Sequence, residues 1–451
     1  MTEKKAPPSL FKELSEKFEP SDDIIQTELQ LKGQSAFLFY LKTVADGDKL
    51  QQTIIRPFFE MGAEKDFESY VQSLPIQEAM PKIDQLLIKL TAGYVLVAVL
   101  ENIFMLDLRF VKYDEVQTTV IEPTIHGPQA ALSEDIETTL NIISQRYNNA
   151  SLKIETIDLG DLANRTVALL YDGDRVDKEI LRKIKKRLDE FDPILFQSAA
   201  DLQHFINKGK FNIFPKTIVT ERPDRIVYNL VGGKVIIAVD GSPNVIIAPV
   251  VFFDFMTSME DNYHSFGITS FILLLRYIGL FICLLLPSLY VAMTSYSPDI
   301  LRVELALTVA GGRIGVPYPS FIEVLFMLFF MELLIEASMR LPKSISGTAT
   351  TVGGLILGTA ATEAALASTI MIIIISAVAI STFVIPLTEM SFAIRVVRVI
   401  LLIYTTLFGM VGLLVGMLSI ILTLANTESL GTPYLKFSWI GGNKELKVEK
   451  K

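Results

Sequence analysis

The feature that most restricts this chain is a run without charge. From Tyr277 to Pro298, YIGLFICLLLPSLYVAMTSYSP, no side chain is ionised at neutral pH and Ile, Leu, Phe and Val dominate. A helix rises about 1.5 Å per residue, so about 20 such residues cross the roughly 30 Å hydrocarbon core of a bilayer. The apolar stretch opens at Phe266 and divides the sequence. Residues 1–265 hold 29 Lys/Arg and 40 Asp/Glu, whereas residues 266–451 hold 12 and 10. The acidic first part argues against a nucleic-acid partner and against docking on anionic lipid, because both reward a basic face.

The opening residues, MTEKKAPPSLFKELSEKFEPSDD, lack the apolar core and small-residue cleavage site of a signal peptide. Residues 1–262 are therefore expected to stay on the side of synthesis. The single cysteine, Cys283, lies inside the apolar run. Neither an intrachain disulfide nor a cysteine-based zinc site is available, and no metal or cofactor is expected.

Residues 1–33 are polar, with Pro7, Pro8 and Pro20, and read as a mobile arm with one short helix over 10–18. Residues 34–112 read as a first α/β subdomain: the strand AFLFYLK, helices over 48–61 and 80–90, then YVLVAVL and MLDLRF joined by a tight turn. Residues 113–162 read as linker and connecting helix. That helix is expected over 133–148, with Ser133 as N-cap and Glu134, Asp135 and Glu137 in its first turn. Residues 163–262 repeat the plan. Set side by side, IDQLLIKLTAGYVLVAVLENIFMLDLRF and PDRIVYNLVGGKVIIAVDGSPNVIIAPV agree in helix, glycine, strand, turn and strand. The offset of about 140 residues points to duplication. The fold expected is thus a soluble α/β module of two related subdomains, followed by an all-α multi-pass membrane bundle over 263–430 and a polar tail over 431–451.

No nucleophile, base or metal-ligand grouping emerges in the soluble part. Asp172-Gly173-Asp174 lacks the oxygen spacing of a cation loop. Gly232-Gly233 has no phosphate-loop Lys-Ser/Thr after it. Both read as turns, and an enzyme is not expected.

In the apolar part, Arg276 either snorkels to the interface or meets an internal ion-pair partner. Pro287 predicts a kink. Residues 298–319 are too short and too charged for a clear crossing and suit a re-entrant or interfacial element. Residues 321–341 are apolar but hold Glu323, Glu332 and Glu336, with Glu336 and Arg340 in the favourable i,i+4 order. Residues 344–362, SISGTATTVGGLILGTAAT, are uncharged and rich in small side chains. Thr348, Thr351, Gly354, Gly358 and Thr362 recur at helical spacing, and Gly354-x-x-x-Gly358 permits close helix approach. Either packing alone explains this stretch, or its hydroxyls line an aqueous path with Glu363 at the end, since an ionisable group at membrane depth is a functional-site candidate. Residues 399–427 form the longest charge-free run and read as a strong span. Four or five crossings are expected, with parity left open because basic residues flank both ends of that run.

Several ordered blocks carry a family resemblance: TERPDRIVYNLVGGKVIIAVDGSPNVIIAP, FFDFMTSMEDNYH, RYIGLFICLLLPSLYVA, GVPYPSFIEVLFM, LLIEASMRLP and GTATTVGGLILGTAATEAAL. Over residues 140–425 the chain resembles the A subunits of GerA-type nutrient germinant receptors of endospore-forming bacteria, or a sporulation-protein sibling of them. The resemblance implies a multi-pass protein of the spore inner membrane with its N-terminal domain facing the core. It implies association with a transporter-like B subunit, which binds the nutrient, and a lipoprotein C subunit, and homo-oligomerisation into a cation channel. A secondary transporter or a membrane-anchored scaffold are the alternatives that the residues leave open.

Overall fold

The computed structural model describes residues 7–436 apart from 32, 101, 111–117, 120, 121, 123, 161–163, 192, 194, 195 and 208–212. Residues 437–451 of the expected tail thus lie outside the described residues. The chain forms two compact units. One comprises residues up to Lys208 with Lys216–Val250, and the other Gly209–Pro215 with Val251 onward.

The first unit is built on alternation. In β4 (Tyr94–Val99) all six side chains are buried. Val95, Val97 and Val99 enter one core with Phe58 and Phe67, while Tyr94, Leu96 and Ala98 enter another with Phe11, Phe39 and Leu90. A strand covered on both faces needs helices on both sides. Around it lie β1 (Ile24–Leu31), β2 (Gln34–Leu41), β3 (Gln77–Glu78) and β5 (Asn102–Asp107), in the order β1-β2-β4-β5-β3. A second sheet joins β6 (Leu152–Leu159), β7 (Arg165–Asp172), β8 (Ile218–Thr220), β9 (Val235–Val239) and β10 (Val245–Ala248) in the order β6-β7-β9-β10-β8. All neighbouring strands are antiparallel. Strand for strand, the two orders are the same.

The repeat extends to the backbone. Helix Ile83–Thr91 precedes β4 and helix Pro223–Val231 precedes β9. Each ends in a glycine with positive φ, Gly93 at 101° and Gly233 at 75°. A Cβ at Gly93 would stand 2.4 Å from the Val44 carbonyl oxygen, and one at Gly233 would stand 2.5 Å from that of Arg175. Val44 follows β2 and Arg175 follows β7, so both glycines let a helix end graze the same point of its own sheet.

Two expectations need correction here. The arm is not free: helix Pro7–Phe18 buries Leu10, Phe11, Leu14 and Phe18 on one face, and β1 pairs with β2 along its whole length. Burying side chains of this size contributes about 2 kcal/mol each, enough to hold a short helix down. The connecting helix runs Ile136–Arg146, and its N-cap is Asp135, which accepts from the Thr138 amide at 3.0 Å, rather than Ser133. Asn141 Nδ2 of that helix donates to the carbonyls of Thr43 (2.7 Å) and Phe110 (3.2 Å), which ties it to the end of the first sheet.

The second unit is helical: Phe266–Val291 running into a π turn at Ala292–Tyr296, then Val303–Arg313, Ser320–Arg340, Lys343–Glu363, Thr369–Phe383 and Thr388–Asn426. The first helix continues through Pro287, and residues 298–319 contribute one eleven-residue helix, Val303–Arg313. Two helices, Phe266–Tyr296 and Thr388–Asn426, are long and apolar enough to cross a membrane by length and composition. The second of these is broken at Gly409 (φ 62°, ψ −138°), a conformation that favours glycine. A Cβ at Gly412 would stand 2.1 Å from the Tyr404 carbonyl oxygen, and one at Gly416 would stand 2.6 Å from Leu401 Cδ1. Residues eight apart in a straight helix are about 12 Å apart. The long charge-free run is therefore a hairpin of two helices, 388–408 and 410–426, closed at Gly409.

Contacts between helices alternate in direction. Ser346 Oγ donates to the Ser338 carbonyl (2.8 Å), Gly358 lies against Ile372, Cys283 Sγ is 3.3 Å from Thr382 Oγ1, and Tyr296 Oη donates to the Thr406 carbonyl. At one end of the bundle Tyr434 sits among Phe214, Phe252 and Phe255, its Oη donating to the Pro215 carbonyl at 2.7 Å. This end, which also holds residues 251–263, is the proximal end, and Tyr296 and Gly409 mark the distal one. The polarity of the unit is inverted. Phe271, Phe281, Leu355, Phe383, Leu407 and Val411 are more than half exposed, whereas Glu323, Arg398, Ser288 and Thr405 are fully buried.

Candidate functional site

The small-residue helix Lys343–Glu363 splits the sequence-expected set in two. Gly354 and its neighbour Gly353 lie against Leu334, where a Cβ at Gly353 would stand 3.1 Å from Leu334 Cδ1. Gly358 lies against Ile372. These are packing contacts, and a larger residue would push the helices apart. Thr348, Thr351 and Glu363 are exposed on the outer surface of the unit, beside Val352, Leu355 and Ile356. Thr351 Oγ1 donates to the Gly347 carbonyl (2.9 Å), and half-buried Thr362 donates to those of Gly358 (3.2 Å) and Thr359 (2.8 Å). The Thr351 and Thr362 hydroxyls are thus satisfied by their own helix.

Charge is concentrated elsewhere. Arg276 meets an internal partner: its guanidinium takes both oxygens of Asp261, Nη2 at 2.8 Å from Oδ1, and donates to the Met256 carbonyl at 3.1 Å. Asp261 is held in turn by the Ser258 amide, at 2.8 Å. Glu336 pairs with Arg340 at 2.7 Å on the surface, one turn on, as their spacing required. Glu332 faces inward to two arginines of the 388–408 helix, Arg395 at 2.6 Å and Arg398. Arg398 Nη1 also reaches Cys283 Sγ at 3.5 Å.

The most enclosed carboxylate is Glu323, in the first turn of Ser320–Arg340 and fully buried. Oε1 accepts from Ser368 N and Ser368 Oγ, both at 2.7 Å. Oε2 lies 3.3 Å from Arg313 Nε and 3.4 Å from Tyr290 Oη. Ser368 is also the N-cap of Thr369–Phe383, its Oγ accepting from the Met371 amide at 3.2 Å. One carboxylate therefore ties four segments together. The sequence signals for these groups were an acid in an apolar helix and the i,i+3 spacing of Arg395 and Arg398, but the pairing between distant segments had no local sign.

The family described as Bacillus/Clostridium GerA spore germination protein matches residues 12–447. The chain belongs to the GerA spore germination family. Spore germination protein A1 of Bacillus subtilis (strain 168) is 30% identical over 424 residues, covering 93% of this chain and 88% of that protein. Spore germination protein KA of the same organism is 29% identical over 442 residues, covering 95% and 81%. The crystal structure of the N-terminal domain of the A subunit of the Bacillus megaterium spore germinant receptor GerK3 aligns with a TM-score of 0.42 and 20% identity, over 55% of this chain and 96% of that one. As a GerA family member, the chain is a spore germination protein.

Proposed function

We propose that this chain is the A subunit of a nutrient-germinant receptor that spans the spore inner membrane several times, with its sheet module on the core side. In this reading it works with a transporter-like B subunit and a lipoprotein C subunit and assembles into a ring that conducts cations when a partner binds the nutrient. The observation that carries the membrane part is the inverted polarity of the second unit, with large apolar side chains outward and ion pairs inward. In water that surface would be a liability, and in lipid it is the lower-energy arrangement. Leaving aside the short helix Val303–Arg313, six helices, counting the two halves divided at Gly409, alternate in direction, and in this reading each is a crossing. An even number returns the tail at Tyr434 to the proximal side.

Because Thr348, Thr351 and Glu363 face out of the chain, the ion path of this reading runs between copies, where outward faces meet, and not through one copy. A nutrient bound on a partner can open it only by contacting two packings of these helices unequally. The test is cysteine substitution at 348, 351, 355, 359 and 363 in the assembled receptor, with Cys283 replaced, followed by a water-borne thiol reagent. The expected pattern is labelling at Thr348, Thr351 and Glu363 and nutrient-dependent block of conductance. Uniform protection in every state of the receptor would eliminate this path.

A further inference from the structure

One cluster in the proximal half of the bundle sets two guanidinium groups against a single carboxylate. Among the described residues there, Arg276 has Asp261 and Arg340 has Glu336, but Arg395 and Arg398 share Glu332. Both Glu332 oxygens are taken, Oε2 by Arg395 Nη1 and Oε1 by Arg398 Nη2. The Nε atoms of both arginines are buried and have no acceptor. Arg398 is fully buried and the Arg395 side chain is 11% exposed, yet the Glu332 side chain between them is 32% exposed. The cluster thus reaches the outer surface through Glu332 and Arg395, beside Phe392, which lies 4.2 Å from the Arg395 guanidinium and is 43% exposed.

Arg395 and Arg398 lie seven and ten residues from Thr388, the proximal start of their helix, or about 10 and 15 Å along its axis. Side chains on a helix lean toward its N-terminus, here the proximal end, so the partly exposed Arg395 guanidinium leans toward the headgroup layer while Arg398 stays behind it on Glu332 and Cys283. An unmatched arginine at this depth costs about 3 kcal/mol even on the mildest scale. A phosphodiester supplies the missing charge together with acceptors that suit the planar fork of arginine. A zwitterionic headgroup would bring its own ammonium and leave the surplus in place.

We propose that Arg395, with Arg398 behind it, binds the phosphodiester of an anionic, phosphatidylglycerol-type lipid of the proximal leaflet, at the surface marked by Glu332 and Phe392. The site rests on the membrane reading above.

The test uses the full chain in nanodiscs of dioleoylphosphatidylglycerol or dioleoylphosphatidylcholine, with lipid retained after release into detergent counted by native mass spectrometry. Each arginine near the surface contributes about 1 kcal/mol toward anionic lipid, which is about fivefold in binding. Wild type should retain the anionic lipid about fivefold over the zwitterionic one, and R395Q should lose that preference. E332Q should raise retention, because it frees two guanidinium edges, whereas a purely structural network would show no gain. If R395Q does not fold, E332Q alone decides: loss or no change overturns the site. Displacement of the lipid by inorganic phosphate, or equal retention of both lipids by every form, also overturns it, the latter pointing to a partner's carboxylate instead. Failure of the chain to stay in vesicles after a carbonate wash would instead remove the membrane reading itself.

Discussion

Asp23→Asn tests how the first unit is tied together. Asp23 stands between helix Pro7–Phe18 and β1 and is 8% exposed. Its Oδ1 accepts from the Thr43 amide and its Oδ2 from the Thr43 hydroxyl, each at 2.7 Å. Burial pushes the carboxyl up from 3.8 to about 6, outweighing the hydrogen bonds from Thr43 and the nearby Lys42 charge. The folded chain therefore holds this proton more tightly than the unfolded chain. The stabilising effect of the neutral acid is complete below the unfolded value and is lost as pH rises through the folded one. At about 1.4 kcal/mol per unit, the window from 3.8 to about 6 spans about 3 kcal/mol. Asparagine keeps an acceptor for the Thr43 amide, never ionises and forgoes the hydroxyl bond, at a loss of about 1 kcal/mol. The variant should be about 1 kcal/mol less stable than wild type near pH 3 and about 2 kcal/mol more stable near pH 7.5. Denaturant titration of the full chain in detergent, read by hydrogen exchange of the β1 and β2 amides, measures both ends of that range. Parallel stability curves for the two proteins across it would refute the reasoning.

Glu323→Ala should cost about 3–5 kcal/mol, because it strands Arg313 and removes the acceptor for both Ser368 donors; thermal unfolding in detergent reads this, with Glu323→Gln expected to recover part by keeping an acceptor for Ser368. Gly409→Ala should disrupt the hairpin, since its Cβ would stand 2.7 Å from Tyr296 Cγ at a φ of 62°; the assay is the yield of monodisperse protein, and unchanged yield and stability would show that the break is not required. Lys436→Cys, with Cys283 replaced, should be labelled from the same side of sealed vesicles as a cysteine placed at Glu260. Labelling from opposite sides would mean an odd number of crossings.

The sheet module was legible because its strands are continuous apolar runs between turn residues, and because Gly93 and Gly233 mark the same helix end in both copies. The helix Pro7–Phe18 was harder to read. Its four apolar residues among charged ones suggested a short helix but not what covers it: they are buried, and the chain after it docks on β6, the Asp22 amide donating to the Ile154 carbonyl at 2.9 Å. Ser133 and Asp135 both offer cap chemistry two residues apart, and the choice falls to Asp135, whose carboxylate reaches the Thr138 amide. In the bundle, composition marked the apolar stretches but not Gly409, which sits in a run with no charge to punctuate it. Sequence proximity drew Glu363 into the expected set because it ends the small-residue stretch. Glu323 has partners on three other segments, and such a constellation is visible only once the helices are packed.

The ties between helices also say which of them is cheapest to move. Arg276 anchors the first helix to the segment holding Asp261, Glu332 binds Ser320–Arg340 to the 388–408 helix, and Glu323 binds it to Ser368 and Arg313. Among the described residues, Lys343–Glu363 carries none of these ion pairs. Ser346 Oγ donates to the Ser338 carbonyl, glycines pack against Leu334 and Ile372, and Ala361 enters the bundle core near its distal end. Breaking a buried charge pair costs about 3–5 kcal/mol, whereas sliding a glycine face forfeits contacts worth about 0.1–0.2 kcal/mol per atom pair. A ligand with a few kcal/mol of differential affinity can shift the second kind of contact and not the first. In the proposed receptor, the helix with the outward threonines and Glu363 is thus the one that a partner's signal would displace while the ion-paired frame around it stays fixed.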